Sequence, residues 1–167
     1  MLEINVPTSY RRSIVASIAG VIAIALILSA TPAQAAETIR LKFGAPTRTV
    51  VESTLPTTSV GDLTVTTGDV LSASSGKRLG FYATNHVTVR ADAATGREIR
   101  KVDLSISLPK GNIYATALIR AAKGQPPAKR MTFAVVGGDG AYAGARGTLR
   151  HDSVEGKPEF NVTINLM

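Results

Sequence analysis

The sequence contains no cysteine, and that absence removes disulfides, thiolate zinc sites, iron–sulfur clusters, cysteine nucleophiles and lipid-modified cysteines together. It has no tryptophan and only two histidines, His86 and His151, so a histidine-rich metal site is not expected. Aromatic residues make up 5% of the chain, too few for a row of base-stacking platforms, and nucleic-acid binding is disfavoured despite a net charge of +7. The one glycine-rich run lacks a Gly-Lys-Ser/Thr ending and a following helical pattern, which argues against a phosphate-cradling loop. No Ser, His and acid set stands in a recognisable context, so nucleophilic catalysis has no support. Neither a metal nor a cofactor is expected.

One long uncharged stretch is present, Ser13 to Ala30, preceded by Arg11-Arg12 and followed by Thr31-Pro32-Ala33-Gln34-Ala35. A charged start, an apolar middle and an A-x-A site form the pattern of a signal peptide. The stretch is also near the length of a membrane anchor, but the helix-breaking Pro32 and the small pair Ala33 and Ala35 favour cleavage after Ala35. Residues 1–35 are therefore read as the signal peptide and 36–167 as a single domain, secreted or periplasmic, with no stable membrane anchor after cleavage. Tyr10-Arg11-Arg12-Ser13 also resembles a twin-arginine signal, so the export route stays open.

Beyond residue 35 the hydrophobic rhythm has period two. Apolar residues alternate at Ile39, Leu41 and Phe43; Leu63, Val65 and Leu71; Leu79, Phe81, Ala83, Val87 and Val89; and Val102, Leu104, Ile106 and Leu108. The alternation continues at Ile113 to Ile119, at Met131, Phe133 and Val135, weakly near Leu149, and from Phe160 to Leu166. Turn chemistry such as Ala94-Thr95-Gly96 and Pro109-Lys110-Gly111 separates these runs. The expectation is an all-β protein, an eight-stranded antiparallel up-and-down β-barrel, with a sandwich as the second choice. The polar segment 46–61 is expected to be a long loop over the barrel mouth.

The segment Val135-Val136-Gly137-Gly138-Asp139-Gly140-Ala141-Tyr142-Ala143-Gly144-Ala145-Arg146-Gly147 resembles the signature of the allene oxide cyclase and dirigent barrel superfamily, V-x-G-G-T-G-x-Y/F followed by x-G-A-R-G. Val60-Gly61-Asp62, Gly76-Lys77-Arg78-Leu79-Gly80 and Leu108-Pro109-Lys110-Gly111-Asn112 are similar to earlier parts of such barrels, and the likeness runs from about Leu55 to the C-terminus. Asp139 stands where the family has Thr, and the cysteine pair common in secreted bacterial relatives is absent. The resemblance implies a barrel that folds a flexible hydrophobic small molecule within its interior, as in cyclisation of a fatty-acid epoxide or steering of phenoxy radicals. It also implies assembly as a homodimer or homotrimer, for which Tyr82, Tyr114, Leu118 and Val70 share the outward parity.

Polar residues in phase with the apolar face are the candidates for chemistry. Asp69 and Thr67 are in phase with Leu63 and Val65, Asn85 with Phe81 and Val87, and Glu98 and Arg100 with Val102. Asp69 and Asn85 are the expected catalytic pair, since a carboxylate inside an apolar barrel could serve as acid or base. The competing reading places a bulge at Gly68 that turns Asp69 to solvent. Tyr142 and Arg146, beside Asp139, are expected at the cavity rim as ligand-binding groups, the alternative being a structural Arg146–Asp139 pair. His86 is expected outside, and His151 has no assigned place. Small residues Ala83, Ala115 and Ala117 are expected to leave room inside. Three functions remain: a cyclase or isomerase acting by positioning, a lipocalin-like binding protein without catalysis, and a cationic protein holding an anionic envelope or matrix polymer.

Overall fold

The computed structural model describes residues 36–52, 59–123 and 129–167, and the proposed signal peptide lies outside them. The strands are β1 (Glu37–Phe43), β2 (Thr47–Val51), β3 (Leu63–Ser72), β4 (Arg78–Asp92), β5 (Arg97–Leu108), β6 (Gly111–Ala122), β7 (Arg130–Gly138), β8 (Gly147–Ser153) and β9 (Phe160–Leu166). All pairings are antiparallel, and from β3 to β9 each strand lies beside its sequence neighbour. β1 pairs with β9 along its whole length and with β3 through Leu41–Phe43, which closes the sheet on itself. Closure removes the exposed edges that a sandwich would leave.

Part of the segment expected as a loop is a strand. Thr47–Val51 pairs with Thr67–Leu63 of β3, while Gly44 bridges the gap by donating its N–H to the Asp69 carbonyl at 2.9 Å. β1 and β2 thus form two halves of one stave separated by Gly44-Ala45-Pro46, and the barrel has the expected eight staves. Proline cannot donate to a ladder, so the stave breaks there.

Side-chain phase follows the expected parity on most strands. Leu41 and Phe43, Val102, Leu104 and Ile106, Ile113 and Ala115, Met131, Phe133 and Val135, and Val162, Ile164 and Leu166 are buried inside. On β3 and β4 the phase is opposite to the expected one. Val70, Tyr82, Thr84 and Thr88 are buried, whereas Phe81 is 53% exposed and Asn85 is exposed. The cause is a bulge: Thr88 faces Arg100 but Arg90 faces Ile99, so Val89 is an extra residue in β4. One added residue flips every side chain beyond it to the other face. From Leu63 to Val70, β3 pairs with β4 in step, Thr64 with His86 and Gly68 with Tyr82, and takes the same flipped phase. Ala83 therefore faces outward, and the expected outward residues Val70 and Tyr82 are core; Tyr114 and Leu118 do lie outside.

The two ends of the barrel differ. At one end a 3-10 turn, Gly140–Tyr142, carries the chain from β7 to β8, with Tyr142 and Ala145 buried. There Gly147, at φ 143°, lies so close to β9 that an added Cβ would sit 2.0 Å from the Asn165 carbonyl oxygen. Gly147→Ala should cost at least about 2 kcal/mol of stability, from backbone strain and the steric clash together. Urea denaturation of the variant measures this, and a loss under about 0.5 kcal/mol would contradict the tight corner.

Candidate functional site

The other end of the barrel is hollow. A cavity of about 370 Å³ opens there, walled by Phe43, Tyr82, Leu104, Met131, Phe133 and Phe160, with Thr64, Thr66, Thr84, His86, Arg100 and His151 among the apolar groups. The volume falls in the range that takes a small organic ligand. Tyr82 forms much of its floor. Its ring stacks on Phe43 with centroids 4.1 Å apart and crosses Gly68, where a Cβ would come within 2.6 Å of the ring. The missing side chain at Gly68 lets an aromatic ring lie across the barrel, and burial pushes the Tyr82 hydroxyl up to about 12.

Arg100 and Glu98, whose inward phase the sequence does indicate, are both buried. Arg100 donates from Nε at 3.0 Å and from Nη2 at 2.7 Å to Glu98 Oε2, and Ser59 Oγ donates to Glu98 Oε1 at 2.5 Å. These bonds satisfy the carboxylate, which an unpaired buried charge could not tolerate. Arg100 thereby carries its guanidinium to the cavity wall on a fixed mount.

Both histidines face this space. His86, expected outside, is brought in by the Val89 bulge and lies 3.1 Å from Thr84 Oγ1 through Nε2. Burial lowers its pKa to about 4, helped by the Arg100 and Arg48 guanidinium groups. His151 stacks on Phe160 at 4.2 Å and meets Phe133 edge-on at 6.5 Å. Its pKa also falls to about 4, because burial outweighs the opposing pull of the Asp152 carboxylate. Both rings are neutral at physiological pH. His151 Nδ1 is buried and has no side-chain or backbone partner within hydrogen-bonding geometry among the described residues. No group of three or more metal-ligating side chains occurs among the described residues.

The expected catalytic pair is not in the cavity. Asp69 points outward on β3, its side chain 53% exposed, and accepts from Arg78 Nε at 2.7 Å. The bulge that decides this lies at Val89 in the neighbouring strand rather than at Gly68. Asn85 is exposed on the outer face of β4. Tyr142, Arg146 and Asp139 cluster at the opposite end of the barrel from the cavity mouth, so they do not form its rim. Asp139 accepts from the Asn112 N–H, Asn112 Nδ2 and the Tyr114 hydroxyl, each at 2.8 Å, and these bonds hold its carboxyl below the usual range. No ion pair joins it to Arg146 among the described residues; Arg146 Nη1 donates to the Ala145 carbonyl at 2.8 Å instead. The sequence gives no parity signal for His151, because β8 carries only one strongly apolar residue, Leu149, on its inner face.

Fold and site together define a closed antiparallel barrel with one end packed and a cavity at the other. The allene oxide cyclase barrel like domain matches residues 45–166, and the chain belongs to that family. No curated protein sequence matches it. Among solved structures it is similar to a pyocyanin demethylase, with TM-score 0.62 and 22% identity over 78% of this chain and 100% of that one. It is also similar to a Diels–Alderase from Streptomyces koyangensis (TM-score 0.58, 9% identity, 99% and 84% covered). A pterocarpan synthase dirigent protein gives TM-score 0.54 at 15% identity, with 83% and 93% covered. At these identities the likeness is one of fold.

Two outcomes follow from the neutral histidines. An unfolded chain takes up protons on His86 and His151 near 6.5, the folded one only near 4. Their depressed pKa values contribute stability that is fully present above about pH 6.5 and is lost as pH falls toward 4. The urea midpoint should drop between about pH 7.5 and 5, and a flat profile would contradict the buried neutral state. His151→Phe should raise stability at neutral pH by about 1 kcal/mol, since it removes an unpaired buried nitrogen from an aromatic nest, and should flatten the pH profile. Thermal and urea denaturation of the variant check both effects.

Proposed function

We propose that this protein takes an apolar small molecule into the open end of its barrel and steers a ring closure or isomerisation by holding the molecule in one folded conformation. The observation that carries this reading is the cavity of about 370 Å³, apolar on most of its wall, with Arg100, held from behind by Glu98, and two neutral imidazoles set into it. A flexible substrate loses conformational freedom on entering such a space, and the loss is taken from the barrier of a reaction that needs a compact geometry. The neutral rings of His86 and His151 supply hydrogen bonding without introducing a net charge, and Arg100 can stabilise negative charge developing on a ligand oxygen. Relatives by fold named as Diels–Alderases, whose reaction is a [4+2] cycloaddition, support a role by positioning. A protective or carrier role without chemistry uses the same cavity and is distinguished by the lack of turnover. The Arg11-Arg12 segment, the uncharged run after it and Ala33-Gln34-Ala35 support export to the periplasm or beyond, and intact mass of the exported form, starting at Ala36, tests that part.

The neutral fluorophore N-phenyl-1-naphthylamine reports on the cavity directly. It should bind the wild-type protein once per chain, and Thr66→Phe, which fills the space from β3, should weaken binding by at least about tenfold without lowering stability. Equal binding by the filled variant would place the dye elsewhere and overturn the reading.

A further inference from the structure

A second concavity, of about 480 Å³, lies against β4, β5 and β6, with Arg90, Arg97 and Arg120 set around Ile99 and with Asp92 and Thr95 of the β4–β5 hairpin at its edge. Sheet register brings the three arginines together. Arg90 pairs with Ile99 and Ile99 with Arg120, so one row across three strands reads Arg, Ile, Arg, and Arg97 precedes Ile99 by two residues on the same face. That face is the outer one, because the alternate residues Glu98 and Arg100 are buried inside. Strand spacing sets the backbones of Arg90 and Arg120 about 10 Å apart, with Arg97 about 7 Å along the strand from Ile99.

The arginines are exposed, and none of the three makes an ion pair among the described residues. Other arginines on the outside of the barrel are matched: Arg78 pairs with Asp69, and Arg130 and Arg150 share Asp152. The two acids beside the concavity are engaged elsewhere. Asp92 Oδ1 accepts from the Ala94 and Thr95 N–H groups at 3.0 and 3.3 Å, and the Glu98 carboxylate is turned inward to Arg100 and Ser59. Guanidinium groups offer forked donors that match the oxygens of a phosphate. Three of them anchored over about 10 Å match a ligand whose negative charge extends over a similar length, beyond the size of one phosphate.

The geometry points to a binding site for a ligand carrying two or more phosphate groups in a row, held by Arg90, Arg97 and Arg120 on the outer face of the barrel. The site is separate from the apolar cavity and independent of what that cavity takes.

Inorganic triphosphate is the probe, and calorimetric titration at about 50 mM salt should show one site per chain, weakening as salt is raised. Orthophosphate should bind at least about tenfold more weakly. The triple variant Arg90→Gln, Arg97→Gln, Arg120→Gln should lose at least about tenfold in triphosphate affinity with its urea midpoint unchanged, and Arg120→Gln alone should lose about threefold. A control triple, Arg40→Gln, Lys77→Gln, Lys110→Gln, removes the same charge at exposed positions without ion pairs and should change affinity by less than about threefold. Arg48→Gln, Lys129→Gln at the cavity should also leave it unchanged, and saturating triphosphate should not displace N-phenyl-1-naphthylamine. An equal loss in the control triple would reduce the effect to net charge, and a loss in the Arg48, Lys129 variant would move the anion to the cavity; either result overturns the site. Orthophosphate binding as tightly as triphosphate would overturn the ligand class. So would binding to phosphatidylglycerol vesicles that triphosphate does not displace, which would make the face a membrane contact. No binding of triphosphate to the folded wild-type protein would end the proposal and leave the cavity reading untouched.

Discussion

A closed barrel has one interior, and each strand must commit its odd or its even residues to it. In β5 the commitment is fixed by Val102, Leu104 and Ile106, which are fully buried. The hairpin between Asp92 and Arg97 would by itself set Val87 opposite Val102. The extra residue at Val89 shifts the pairing by one, so His86 faces Val102 and Thr84 faces Leu104. The same shift passes to β3 through its ladder with β4, turning Thr64 and Thr66 inward and Asp69 out to Arg78. Gly68 falls opposite Tyr82 for the same reason, and the ring uses the vacant Cβ position to cross the barrel. The floor of the cavity, one of its two histidines and its threonine wall all depend on a single bulge.

The barrel is divided along its axis between a packed core and a cavity. Ile106, Ile113, Leu149, Ile164 and Leu166 pack fully buried, and the Gly138–Gly147 corner seals that end over Tyr142 and Ala145. Such a core can offset features at the other end that lower stability. A buried Arg100–Glu98 pair gains little over an apolar pair of the same size, and His151 Nδ1 is buried without a partner among the described residues. Both sit at the cavity, and binding sites are where proteins retain such costs.

The glycine-rich segment that carries the family likeness has a structural duty. Asp139, in the place where the family has Thr, gathers three donors from Asn112 and Tyr114 and ties the β5–β6 turn to the start of the 3-10 turn. Gly140, at φ 56°, brings its backbone against the Lys110 carbonyl, an approach closed to any larger residue. The motif builds a corner and identifies the barrel, whereas the cavity lies at the other end.

Much of this architecture was legible in the chain itself. Period-two alternation, turn residues at regular spacing and the lack of cysteine determined an all-β meander without covalent cross-links, and the clean parity of β5 put Glu98 and Arg100 inside. Strand β2 was not legible, since Thr47–Val51 is exposed throughout and pairs at the rim of the barrel. Phase on β3 and β4 was misleading because both faces of β4 carry apolar groups: Phe81 and Val89 outside, Tyr82 inside with threonines and a histidine. Hydrophobicity assigns a strand to one face or the other only when the buried face is the more apolar one, and a cavity wall that holds polar groups breaks that condition. Which residues meet across the barrel was decided by register, and at the cavity register turned on the bulge at Val89 and on closure between strands far apart in the sequence. Local patterns determine that a strand alternates; only the pairing of the whole sheet decides which of its faces is the inside.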